Sequence, residues 1–224
     1  MANTSGQAYG LTTLCPIING YASVFNSNLN SNTDSAPINQ NQSHDKEIRR
    51  LLQALPSDEG SLFAKTDNTY FARLFVLNDV FFQQGNDFKR DQLKSKYLCF
   101  NSNFHGELEP YLTGMWNNNE SLVREIWQHC VAFEQVNHAE DFVAYIKSCQ
   151  IDTTLFFNGS NDKPLAEQLK ALYVKHMFSE FVLTQQGKSA AETKQGFKYF
   201  LQRVQLNNID SPSWKPGQSQ IQAN

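Results

Sequence analysis

Apolar residues recur along this chain with two different periods, and the change from one to the other marks its elements. Leu11-Thr-Thr-Leu-Cys-Pro-Ile-Ile18 is apolar and β-branched and stops at Asn19-Gly20, which predicts a strand weakened towards its end by Pro16. Residues 26–43 are dominated by Asn, Ser, Gln and Thr, with little to bury, and are expected to form a mobile loop. Ser43 or Asp45 then opens a helix. Ile48, Leu51, Leu52 and Leu55 fall on one face of it, and Pro56 closes it.

Tyr70-Phe-Ala-Arg-Leu-Phe-Val-Leu77 reads as a strand apolar on both faces except at Arg73. Lys96–Phe104 reads as a third strand, with Leu98, Phe100, Ser102 and Phe104 on one face and Tyr97, Cys99, Asn101 and Asn103 on the other. His105-Gly106 ends it. A helix follows with Pro110 near its first turn, and the run Asn117–Asn119 interrupts it, leaving Asn119 to cap a second segment through Cys130. A short helix is expected over Asp141–Cys149 and a fourth strand over Thr153–Asn158. Two helices complete the series, one capped at Asp162 and one opened by the capping box Ser189-Ala-Ala-Glu192.

The order β-α-β-β-α-β followed by two helices predicts an α+β domain of the ferredoxin-like plait type over residues 11–209. A flexible N-terminus over residues 1–10 and a loose tail over residues 210–224 flank it. A plait leaves one sheet face open, and a strand apolar on both sides requires that face to be covered. Either the C-terminal helices or a second copy of the chain would supply the cover.

Composition narrows the functional classes. A net charge of −3 and a pI near 5.9 argue against nucleic acid as a partner, because a phosphate backbone requires a basic face. The cluster Lys89, Arg90, Lys94 and Lys96 reads as a solvated loop. No stretch approaches the roughly 18 apolar residues of a membrane span, and Met1–Gly10 lacks the pattern of a signal peptide, so a cytoplasmic location is expected. Cys15, Cys99, Cys130 and Cys149 are widely spaced in apolar segments and read as buried thiols rather than zinc ligands. The glycine-rich phosphate loops, the zinc-protease helix and the serine nucleophile elbow are all missing from the sequence, and no cofactor is specified.

The most specific chemical expectation concerns the second and third strands. Paired antiparallel, they bring Arg73 opposite Asn101, so that Arg73, Asn101 and Asn103 form a polar cluster on an apolar sheet face. Such a cluster needs an internal carboxylate, Glu107 or Glu109, or an anionic or carbonyl-bearing ligand. His105, between a strand end and a helix start, is the candidate acid-base or ligating residue. His129 and Cys130 diverge on their helix and read as flank and core, and His176 reads as a boundary residue. His44 and His138 read as solvent-exposed.

Tyr70-Phe-Ala-Arg73, Lys96–Gly106 and Ile126-Trp-Gln-His-Cys130 together resemble a group of uncharacterised bacterial domains. Their pattern runs His-Phe-Ala-Arg, then Ser-Asn-Phe-Asp-Gly, then a helix with His-Cys. Such domains are similar in general shape to the ferredoxin-like halves of dye-decolorizing peroxidases and other dimeric α+β barrel proteins. The resemblance implies a plait that binds a small ligand or cofactor, with Tyr70 beside Arg73 in the site and an oxidoreductase role as one outcome. This chain has Tyr70 where the group has His, and His105 where it has Asp. Two functions are therefore expected in parallel: a small-ligand protein built on Tyr70, Arg73, Asn101, Asn103 and His105, or a non-enzymatic interaction module that assembles with itself or with a partner.

Overall fold

The computed structural model describes residues 3–22, 42–79 and 92–218. It is an α+β structure. Its main sheet contains β1 (Thr4–Ser5), β2 (Ala8–Pro16), β5 (Thr69–Leu77) and β6 (Tyr97–His105) in the order β1-β2-β6-β5, all pairs antiparallel. A two-stranded ladder joins β3 (Tyr21–Ala22) to β4 (Gln42–Ser43). The expected polar loop over residues 26–43 lies outside the described residues except for β4, and Lys89 and Arg90 lie outside them too.

Alternation decides which side of the sheet is buried. Leu98, Phe100, Ser102 and Phe104 face the helices beside Leu11, Thr13 and Cys15 of β2 and Leu74 and Val76 of β5. Over them lie α1 (His44–Ala54), α2 (Leu108–Trp127) and α3 (Ala139–Cys149). Ile48 and Leu51 of α1 are buried as their spacing predicts, and Leu52 and Leu55 pack at the margin. Helix α2 kinks at Asn119, where φ is −146° and ψ is 31°, as the asparagine run predicts. Beyond the kink Val123, Ile126 and Trp127 are fully buried.

The second and third expected strands pair antiparallel, and β6 lies between β2 and β5. The fourth strand does not form. Thr153–Asn158 has strand composition, but β1 and Asn3 already occupy the free edge of β2, Asn3 through its carbonyl accepting from the Gly10 N–H at 2.8 Å. Only one bridge, Thr13 with Gln150, and a hydrogen bond from the Ile151 N–H to the Thr12 carbonyl (2.9 Å) remain for the incoming segment. Beyond them the chain leaves the edge, and Leu155 and Phe157 are exposed. The sheet also begins earlier than expected, at Thr4 rather than Leu11.

Helices α4 (Leu165–Thr184) and α5 (Ala190–Val204) form a hairpin with a small core of its own around Met177, Phe200 and Val204. Pro164 rather than Asp162 stands at the N-cap of α4, and the Ser189–Glu192 capping box forms as predicted. The tail is not loose as far as residue 218. The Lys170 ammonium, on α4, donates to the carbonyls of Val204 (2.6 Å) and Pro212 (2.8 Å), and Trp214 packs edge-on against Tyr173 and His176. The hairpin does not cover the open sheet face, contrary to the sequence expectation: Phe71 and Phe75 remain 51% and 42% exposed there. Its apolar residues are spread around α4 and used on α5, so it turns inward on itself.

Candidate functional site

The register places Arg73 directly opposite Asn101, with Asn103 two residues further along the same face opposite Phe71. Thr12 and Gly10 continue these rows on β2. Among the described residues Arg73 forms no ion pair or hydrogen bond. Its guanidinium stacks 5.4 Å from the centre of the Phe71 ring, and Glu109, one of the two carboxylates expected to pair with it, is taken by Lys147 at 2.7 Å. Asn101 Oδ1 is shielded from solvent without a hydrogen-bond partner.

His105 and Tyr70 lie at the end of the same region but serve the connection between α3 and α4. The His105 Nδ1 is 2.8 Å from the Asp162 carbonyl, and the Tyr70 hydroxyl donates to the Lys163 carbonyl at 2.6 Å. The Asp162 carboxylate accepts from the Gln7 N–H (2.7 Å), which holds it below the usual carboxylate range. The carboxylate is packed so close to Gly6 that a side chain there would collide with it. Phe156 lies over Gly10 on the open face, where a Cβ would meet its ring at 3.0 Å. The connection thus straps one end of the sheet, and Arg73 with the two asparagines stays on its uncovered part. The structure brings Arg73, Asn101 and Asn103 together and separates Tyr70 and His105 from them by hydrogen bonds to backbone.

A concave site lies on the other side of β5. A cleft of about 490 Å³ runs between the end of α1, the turns over residues 56–64, the free edge of β5, the start of α4 and Pro216-Gly217. Leu52, Leu55, Leu62, Phe63, Leu165 and Leu169 line it. Ala72 and Leu74 present the unpaired side of the edge strand to it, consistent with the Val76 carbonyl two residues on, which accepts from Arg49 at 3.1 Å on that side. Its polar lining includes Ser57, Asp58, Ser61, Thr69 and Tyr70. Asp58 accepts from the Gly60 N–H (2.9 Å) through Oδ1 only, and Ser57 and Ser61 lie beside it. The Thr69 hydroxyl is committed to the Thr66 carbonyl and Tyr111. Among the described residues no Lys or Arg lines the cleft.

Sequence reasoning missed a second polar group. His44, at the start of α1, and His129, just past α2, face each other with their Nδ1 atoms 3.0 Å apart. One must donate and the other accept, so the pair holds at most one proton beyond neutrality. Burial lowers both pKa values, and for His129 the charge of His44 adds to it. Glu47 stands nearby with its carboxylate held down by Arg50, at 3.0 Å. A histidine whose folded pKa lies below its unfolded 6.5 favours folding above 6.5 and loses that contribution as pH falls towards the folded value. Thermal midpoints are therefore expected to drop between pH 7 and about pH 5, and His44→Gln, which keeps a hydrogen-bonding group without the titration, should flatten the slope. An unchanged slope would remove the pair as its cause.

Among the described residues no group of three or more His, Cys, Asp or Glu side chains is placed to hold a metal ion, and no helix is long and apolar enough to cross a membrane. No family model, no curated protein and no solved structure matches the chain.

Proposed function

We propose that this protein binds a small, mainly apolar molecule carrying a hydroxyl or amine at one end, in the cleft beside β5. The supporting observation is the cleft itself. Its volume lies in the range of small-molecule sites, its walls are mainly apolar, with leucine and phenylalanine prominent, and Asp58 is the one carboxylate among its lining residues. A carboxylate with no cation beside it disfavours an anionic ligand and favours a donor. The sheet and its crossovers are read as a plait whose fourth strand has been displaced from the edge of β2 by the N-terminal hairpin, while β5 forms the opposite, free edge on the side of the cleft. Four free cysteines fit a reducing compartment, and we place the protein in the cytoplasm.

Titration of the purified chain with alkyl alcohols, amines and carboxylates of equal length, followed by calorimetry, tests this reading. The amine should bind about 10–100-fold more tightly than the carboxylate, the worth of one charge-assisted hydrogen bond. Asp58→Asn should erase that preference, and Ala64→Trp should fill the cleft and abolish binding. Equal binding of all three ligands to wild type and to the filled variant would overturn the proposal.

The assembly reading rests on a different observation. Leu172, Phe178, Val182 and Leu183 of α4 and Phe197 of α5 are exposed along the hairpin. On this reading a second copy of the chain covers them, and sedimentation should show a concentration-dependent dimer that Leu183→Lys dissolves. A monomer at all concentrations would discard it.

A further inference from the structure

Three cysteines far apart in the sequence meet where β2 is clamped to the end of α3. Cys15 is fully buried on the helix-facing side of β2, two residues from Thr13, whose bridge to Gln150 brings the strand against Cys149, the last residue of α3. The Thr13–Gln150 bridge and the Ile151–Thr12 hydrogen bond fix the two elements on one side of Cys15, and the Ile17–Cys130 bridge holds β2 against the third cysteine on the other. Thr13 Oγ1 lies 3.8 Å from the Cys15 sulfur, and Ser148 Oγ lies 3.9 Å from that of Cys149. The Tyr145 hydroxyl donates to the Val131 carbonyl, next to Cys130, at 3.3 Å. None of these groups lines the cleft.

We propose that Cys149 is a peroxide-reactive thiol and that Cys15 resolves it, so that a hydroperoxide converts the pair into an intramolecular disulfide. Exposure assigns the roles: Cys149 is half-buried next to the exposed Ser148, whereas Cys15 and Cys130 are closed to solvent. Hydrogen bonding supports them. The Cys15 thiol, then Ser148 and Tyr145, stabilise a thiolate at Cys149 and hold its pKa below the ordinary value, while Cys15 and Cys130 are pushed up and stay protonated.

In the first step the Cys149 thiolate attacks one peroxide oxygen. The S–O bond forms, the O–O bond breaks, and the departing alkoxide or hydroxide takes a proton from water. The sulfur loses two electrons to the peroxide and becomes a sulfenic acid. In the second step the Cys15 sulfur attacks the sulfenic sulfur. The S–S bond forms, the S–O bond breaks, and hydroxide leaves with the Cys15 proton as water. A cellular thiol would reverse the reaction by exchange.

The test exposes the full chain to hydrogen peroxide and follows it by intact mass and non-reducing peptide mapping. Wild type should lose two hydrogens and yield a Cys15–Cys149 peptide pair. Cys130→Ser should behave identically. Cys15→Ser should instead accumulate a sulfenic acid at Cys149, trapped by a cyclic 1,3-diketone, and Cys149→Ser should form neither product. The wild-type mapping decides the matter even if a cysteine variant fails to fold. No oxidation at Cys149, further oxidation there without a disulfide, or a disulfide through Cys130 would each overturn the proposal.

Discussion

Trp127→Ala is expected to destabilise the protein by about 3–5 kcal/mol, the cost of emptying a large aromatic site in a packed core. Trp127 is wholly buried at the last turn of α2, with its ring edge-on to Phe100 of the sheet and to Phe142 of α3, both at 5.6 Å between ring centres. It joins α2, α3 and the sheet at that point, so a cavity there cannot be closed by the shift of a single neighbour. Its indole nitrogen has no hydrogen-bond partner, so the loss is one of packing and should be largely restored by Trp127→Phe. In a chain of this length the midpoint of thermal unfolding should fall by roughly 6–20 °C. A fall of less than about 2 °C would mean that the three layers do not depend on this contact.

Lys170→Ala is expected to loosen the C-terminal hairpin by on the order of 3 kcal/mol, since hydrogen bonds to a charged donor contribute about 1.5–3 kcal/mol each. The Lys170 side chain is 6% exposed, and burial holds its pKa below the ordinary lysine value. Its two acceptors are the last turn of α5 and the returning tail, so one ammonium ties α4 to both. The effect should be local. Hydrogen exchange of amides in residues 165–204 should accelerate while β2 and β6 keep their protection, because the hairpin has its own small core. Uniform acceleration across the chain would instead show that the hairpin and the sheet unfold together. Because Pro216 and Gly217 line the cleft, the same variant should weaken binding of the alkyl amine. Lys170→Arg should restore part of both effects.

Much of the local structure was readable from residue pattern. The apolar face of α1, the kink at Asn119 and the capping box at Ser189 all depend on residues within one or two helical turns of each other. Arg73 opposite Asn101 was also readable, since strand alternation and a short antiparallel connection leave few registers. Of the residues singled out for a site, these two and Asn103 share a surface, whereas the roles of Tyr70 and His105 could not be read. Each side chain binds a backbone carbonyl in the segment joining α3 to α4, and nothing about a tyrosine or a histidine announces which carbonyl will come within reach.

Thr153–Asn158 shows the limit most plainly. It has the composition of a strand, and composition describes what a segment tolerates rather than which edge is vacant. The edge of β2 was already taken by Asn3, Thr4 and Ser5, three polar residues with no strand pattern of their own. The cleft, the His44–His129 contact and the Cys15–Cys149 contact were hidden for the same reason, because each depends on elements distant in the chain. By itself, then, the sequence determined where the helices and the three long strands form and which of their faces are apolar, because hydrophobic periodicity and capping act over a few residues. Only the tertiary structure decided which edges remain unpaired, which thiols touch and where a cleft is left open, because these follow from how the elements exclude one another in space.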